Sequence, residues 1–290
     1  MTQRRLLEQR LAGLGEIGEI MRSMKILAYM ETRKLGRLIG NQRAVARQID
    51  TIAADFLAFY PDVLPVGTSS HRVFLLIGSR RGFCADFNER LDSGLRRALA
   101  APGDGSIIAV GRKLCLRLEE KGVGFSAGLD GADVAEEIPS VMRAIVTALD
   151  ALQARHGHVA LTVLSHRAGE DGPRSQRLLP PFEAHRGAPK GHAFAPILNL
   201  TPRDFLLGLG EQYLFAALHE LLYESLLAEN ARRMRHLEGA VNHLEDRAEE
   251  IRRRVHGLRQ EEIIEEIEVI LLNSAGLDEP SAARPGAKRD

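Results

Sequence analysis

The sequence predicts an α/β protein: a long antiparallel two-helix coiled coil, built from the N- and C-terminal arms, with an inserted Rossmann-like α/β domain. Three observations lead there. The first is the placement of proline. All twelve prolines lie from Pro61 to Pro202 or at Pro280 and Pro285, which leaves residues 1–60 and 203–279 without any. Proline breaks helix interiors because it lacks an N–H and its ring clashes with the preceding turn, so two proline-free flanks read as helical arms. The second is a heptad in the C-terminal flank. The third is an alternation of apolar runs and amphipathic stretches in the centre.

The N-terminal arm, residues 1–60, carries Leu7, Leu11, Leu14, Ile17, Met21, Met24 and Ala28 at spacings of three and four, and Leu35 and Leu38 follow. That spacing defines one face of a helix. Gly13, Gly15 and Gly18 each weaken it by roughly 1 kcal/mol relative to alanine, so it needs a partner. The C-terminal arm supplies one. Leu237, Val241, Leu244, Ala248, Ile251, Val255 and Leu258 recur at 4-3-4-3-4-3, a 3.5-residue repeat that drives left-handed supercoiling. Upstream, Leu206, Leu209, Tyr213, Ala217 and Leu221 or Leu222 extend the stripe. The arm is placed at 205–277, and its seam is expected to end at Leu258. Residues 278–290, with two prolines, read as a disordered tail.

The centre, 66–200, alternates. His71–Ser79 (HRVFLLIGS), Ser106–Gly111 (SIIAVG) and His158–Ser165 (HVALTVLS) read as buried strands. Helical stretches are expected at Phe87–Ala100, near Arg112–Lys121 and at Ala135–Ala154, the last with Ile138, Val141, Met142, Ile145 and Leu149 on one face. Alternating strands and helices indicate a small sheet covered by helices.

Composition narrows the function classes. Charged residues make up 27% and hydrophobic ones 44%, with a formal net charge of zero, so no bulk charge points to nucleic acid. Cys84 and Cys115 cannot build a disulfide framework and fit a reducing compartment. No apolar run reaches the roughly 20 residues of a bilayer span. Glu8, Glu16 and Glu19 in the arginine-rich start argue against a transit peptide. The loop Gly78–Asn88 has neither a dinucleotide fingerprint nor a phosphate-binding loop pattern. His236 and His243 share a helix face without a third ligand in register, and no His accompanies Cys84 as a base. No catalytic site, metal site or cofactor is expected. Two other readings stay open at this point: a coiled-coil scaffold, and a nucleotide-binding protein using the central domain.

Three stretches carry a resemblance. Glu19–Leu35 (EIMRSMKILAYMETRKL) holds Ile20, Met24, Leu27, Ala28 and Arg33; Ser79–Asn88 (SRRGFCADFN) holds Arg81, Gly82, Cys84 and Asn88; Ala228–Met234 (AENARRM) leads on to Arg259, Gln260, Ile263, Glu266, Ile267 and Ile270. Together they resemble the gamma subunit of F-type ATP synthases, in divergent form. Ala85 and Asp86 stand where that family's loop has two glycines, and Ile264 and Glu265 where it has polar Thr and Gln.

The resemblance implies a rotor shaft that transmits torque between an ion-driven membrane ring and a catalytic ring, and that hydrolyses nothing itself. It implies alpha, beta and epsilon subunits and the membrane rotor ring of c subunits as partners, with no direct bilayer insertion. It implies a peripheral position on the cytoplasmic face of a bacterial plasma membrane. By the same resemblance Arg22, Met24 and Lys25, with Arg33 and Lys34 nearby, would meet beta-subunit loops, as would Arg259 and Gln260. Ile263, Ile267, Ile270 and Leu271 would form an apolar bearing at the shaft tip. The acids from Glu261 to Glu268 exceed the family pattern.

Overall fold

The computed structural model describes residues 3–64, 71–99, 105–187, 189 and 191–275. The tail expected at 278–290 lies outside the described residues. Ten principal elements follow in order: α1 (Gln3–Phe59), β1 (His71–Ile77), α2 (Phe87–Leu99), β2 (Gly105–Val110), α3 (Arg112–Glu120), β3 (Ala127–Leu129), α4 (Ile138–His156), β4 (Val159–His166), β5 (Pro173–Arg177) and α5 (Pro202–Ala275). Helix α5 begins where Pro202 takes the first helical position. Thr201 Oγ1 accepts the backbone N–H of Asp204 at 3.2 Å and donates to its carboxylate at 2.6 Å, a reciprocal cap that satisfies otherwise orphaned donors.

The chain forms two compact units, one from Met1–Ser23 with Gly239–Asp290 and one from Met24–Glu238. In the first, α1 and α5 pair antiparallel. Arg4 meets Glu262 at 3.0 Å and Arg22 meets Glu245 at 2.7 Å. Val241, Ala248 and Ile251 are buried and Leu244, Val255 and Leu258 half-buried, so the predicted heptad is the seam. The facing stripe on α1 differs at one position: Ile17 is 46% exposed and Gly18 is buried. Both fit a spacing of three or four from Leu14. The residue without a side chain takes the inside, where a Cβ would lie 3.9 Å from the Arg22 guanidinium. The pairing also reaches Glu262, one turn past the expected limit at Leu258.

In the second unit a five-stranded sheet runs β3-β2-β1-β4-β5. Pairs β1–β2, β1–β4 and β2–β3 are parallel; β4–β5 is antiparallel. Side chains alternate across it. Val73, Leu75, Ile77, Leu161 and Val163 pack with α4 and with Leu218, Leu221 and Leu222 of α5. Phe74, Leu76 and Leu164 pack with α2 and α3. A third cluster joins the end of α1 to the start of α5 through Phe56, Leu57 and Leu206. Here too α1 and α5 are antiparallel, as the pairs Lys25–Glu238 and Arg43–Glu224 show. Leu38 is exposed, and its neighbour Ile39 takes the inward place.

Candidate functional site

In the Met1–Ser23/Gly239–Asp290 unit the sequence-predicted contact residues lie at two levels. Arg22 is exposed and held by Glu245 and by Glu19 at 2.5 Å. Arg259 and Gln260 are exposed. They lie fourteen residues along α5 from Glu245, roughly 21 Å at 1.5 Å per residue, so the structure does not bring them to Arg22. Past Glu262 the residues of α5 from Ile263 to Leu272 are all exposed. Ile263, Ile267, Ile270 and Leu271 are 46%, 50%, 65% and 61% exposed, and Ile264, Val269 and Leu272 are also bare. Contiguous exposed aliphatic surface of this kind marks an interaction site.

In the Met24–Glu238 unit, Met24 is half-buried and Lys25 is bound to Glu238 at 2.7 Å. Lys34 pairs with Glu136, and the Arg33 guanidinium lies 5.9 Å from the Tyr29 ring. The first-arm basic residues Arg22, Lys25, Arg33 and Lys34 thus each hold an acid or a ring of their own chain, and the pairs of Arg22 and Lys25 are solvent-exposed.

The same unit brings together parts of all three resembling stretches. Glu31 accepts the Ala135 N–H at 2.7 Å. Arg80 reaches Glu137 at 3.0 Å and Arg81 reaches Asp133 at 2.9 Å. Arg233 donates to Gly82 O at 3.3 Å, to Asn230 Oδ1 at 2.9 Å, to Cys84 Sγ at 3.4 Å and to Glu229. Arg232 meets Asp86 at 3.1 Å. Burial pushes the Glu229 carboxyl up to about 7, which Arg233 partly offsets. Burial, then the Glu229 charge, pushes the Cys84 thiol up to about 11, which suppresses the thiolate and with it any nucleophilic use. Cys84 is a packing residue of a buried clasp. Sequence reasoning missed the clasp because Arg233 and its partners Gly82 and Cys84 are 151 and 149 residues apart.

The clasp also settles what occupies the crevice of the sheet. In open parallel sheets ligands bind beyond the carboxyl ends of strands where the strand order reverses, here between β1 and β4. Helix α5 crosses that place. Ser225 Oγ donates to Ile77 O at 3.1 Å at the end of β1, and Arg167, just after β4, meets Glu224 at 3.3 Å. Ser225, Glu224 and Glu229 are all buried. The chain's own helix fills the position a nucleotide would take.

Within the Met24–Glu238 unit, a parallel-type sheet whose crevice is filled by one of two long antiparallel helices defines an α/β class in which the sheet is fastened to the helices. The ATP synthase family model matches residues 3–275. The fold is shared with a chain of the Euglena gracilis mitochondrial ATP synthase (OSCP/F1/c-ring, rotational state 3), at a TM-score of 0.60 and 16% identity over 99% of this chain and 98% of that one. It is also shared with a chain of the Tetrahymena thermophila mitochondrial ATP synthase central stalk and c-ring, at 0.56 and 18% over 76% and 99%. A rotor chain of the Euglena enzyme in rotational state 1 gives 0.53 and 17% over 90% and 98%. No curated protein matches the chain significantly. The chain belongs to the ATP synthase family, as a gamma-type central-shaft subunit. Among the described residues no helix is long and apolar enough to cross a membrane.

Proposed function

We propose that this chain is the torque-carrying rotor shaft of a bacterial F-type ATP synthase. The arms at 1–60 and 205–277 form the shaft, and the segment 66–200 is the attached domain. The alpha and beta subunits surround the shaft; the epsilon subunit and the membrane ring of c subunits meet it near the attached domain. The chain is non-catalytic by itself and lies peripherally on the cytoplasmic face of the plasma membrane. Two free cysteines, one buried, suit that reducing side.

The observation that carries the reading is the bare aliphatic end of α5 in a chain whose family match runs from 3 to 275. A helix ending in exposed isoleucine and leucine is a liability in water and an asset inside a close apolar collar, where contacts are non-directional and do not lock one orientation. Arg259 and Gln260, one turn before that stripe, are assigned to a beta-subunit loop, and Arg22, Met24 and Lys25 to a second one. The exposure of Arg22, Arg259 and Gln260 supports contacts that form and break, since exposed ion pairs contribute little net energy.

Co-expression with the alpha and beta subunits of an F-type ATP synthase from the same organism tests this. A soluble ATP-hydrolysing complex containing the chain is expected, and Ile270→Glu/Leu271→Glu should abolish coupled activity while the chain keeps its helix content. A chain that stays out of any such complex, or a double variant with full coupled activity, would sink the proposal. Membrane fractionation before and after low-salt washing tests the peripheral placement.

A further inference from the structure

Within the Met24–Glu238 unit, α4 and the first turns of α5 enclose an elongated cavity of about 630 Å³. Its floor is apolar, with Met142 and Leu218 buried there. Its walls are apolar and bare: Val146 on α4 is 38% exposed, and Leu207 and Phe215 on α5 are 61% and 53% exposed. Gly210 leaves the α5 wall without a side chain at this point; a Cβ there would sit in ordinary contact with the Pro181 ring, at 3.5 Å. Two ionisable groups line the groove among the described residues, Asp150 on the α4 wall and Glu211 on the α5 wall. Both are exposed carboxylates, and neither has an ion-pair or hydrogen-bond partner among the described residues.

Length and charge point to one occupant. The lining runs from Met142 to Gln153 along α4 and from Leu206 to Leu218 along α5, each roughly 16–18 Å, or about three helical turns. That is the span of the i, i+4, i+7 and i+11 anchors with which an amphipathic helix fills a groove between two others. A compact ligand would suit the volume but not the extended shape with a carboxylate on each wall. We propose that the groove docks an amphipathic helix of a partner protein, with an apolar face of about three turns and lysine or arginine along its margins to meet Asp150 and Glu211. The proposal draws on this unit's surface alone and does not depend on the rotor reading. A chain that binds such a helix yet never joins an alpha–beta ring would separate the two.

The test uses the purified full chain and a labelled synthetic helix of about four turns with leucine at the four anchor positions, made in a lysine-flanked and a glutamate-flanked form. Fluorescence anisotropy should give saturable binding of the lysine form, roughly tenfold tighter than the glutamate form. Asp150→Lys/Glu211→Lys should reverse that order, and Gly210→Met, which adds bulk to the α5 wall without touching charge, should weaken both forms. Circular dichroism of each variant confirms that the fold is kept, and Leu207→Asp on the exposed wall gives a second route should the double variant unfold. Absence of saturable binding, or binding indifferent to the peptide's charge and to the substitutions, overturns the proposal. So does full displacement by tetraphenylphosphonium, which would make the groove a site for a lipophilic cation.

Discussion

Substituting Arg233→Met tests the buried clasp most directly. The Arg233 guanidinium is 6% exposed and serves four partners: Gly82 O, Asn230 Oδ1, Cys84 Sγ and the 3%-exposed Glu229. Methionine matches the stem but supplies no donor. Glu229 is then a buried carboxylate without a counter-ion, and the Gly82 and Asn230 oxygens each lose a bond. Breaking one side of a buried ion pair costs about 3–5 kcal/mol, a large share of a typical total of about 5–15 kcal/mol. Glu229→Gln should cost about 2–3 kcal/mol, because the guanidinium keeps three neutral acceptors. The double variant Glu229→Leu/Arg233→Met removes both charges, so its cost should fall at least about 2 kcal/mol short of the sum. Urea denaturation of the four proteins gives the cycle. The wild-type carboxyl titrates near 7 in the folded state against an ordinary 4.5, so the native state binds that proton more tightly than the unfolded chain. Its contribution to stability is therefore full below pH about 4.5 and is lost as pH rises towards 7. In Arg233→Met the carboxyl moves higher still, so the deficit should be larger at pH 8 than at pH 5. Additive costs within about 0.5 kcal/mol, or a deficit that ignores pH, would refute the clasp as a coupled charge pair.

Ala85 sits at φ +52 in the loop where the family carries glycine; Ala85→Gly should raise stability by about 1 kcal/mol, read as a higher urea midpoint. Gly111 has φ +110, and a Cβ there would lie 2.7 Å from Gly78 and Ser79 backbone atoms, so Gly111→Ala should lower stability by more than about 2 kcal/mol or prevent folding. Burial holds His166 down at about 4, against an ordinary 6.5. The folded state keeps it neutral while the unfolded chain takes the proton, so stability present above pH 6.5 should be lost towards pH 4, by up to about 3 kcal/mol; His166→Phe should flatten that part of the pH–stability curve. Lys25→Ala removes an exposed pair with Glu238 and should change stability by only about 0–1 kcal/mol while lowering coupled activity of the assembled complex several-fold; unchanged coupling would remove Lys25 from the torque contacts.

What the sequence made legible followed from period. The heptad from Leu237 to Leu258 has one phase, and the structure uses it. The apolar runs at β1, β2 and β4 are buried on both faces and could hardly be anything but strands. Elements whose residues are mostly polar escaped. β5 is Pro-Arg-Ser-Gln-Arg at the antiparallel edge, and its ladder with β4 rests on main-chain pairing that no side chain announces. β3 is three residues at the other edge. On α1 the phase by hydrophobicity chose Ile17, whereas packing chose Gly18, since close approach rewards the absence of a side chain. The exposed tip residues were legible as a stripe, but their bareness required knowing that the α1 pairing ends near Glu262. In the sequence, the stretch of α5 from Ala216 to Asn230 shows one stripe, Ala217 and Leu221 or Leu222. It is buried almost all round, polar residues included, because the sheet takes one side and α1 another.

That burial explains how a sheet of nucleotide-binding topology serves a chain with no phosphate-binding loop. The reversal of strand order between β1 and β4 leaves a crevice in any such sheet, and an empty crevice would expose the ends of both strands. Here Ser225 satisfies the last carbonyl of β1, Arg167 and Arg43 hold Glu224, and Arg233 pins the loop that follows β1. The groups that would cradle a phosphate are replaced by side chains of α5 and by a loop carrying Ala85 and Asp86 in place of close-approach glycines. The crevice has become a joint, fastening the sheet to the helix. A joint that includes a charge pair between helix and sheet, Glu224 with Arg167, resists sliding better than a greasy face does, since displacement by one residue strands the buried carboxylate. For a domain that must move as one body with the helix it grips, that is the property the arrangement provides.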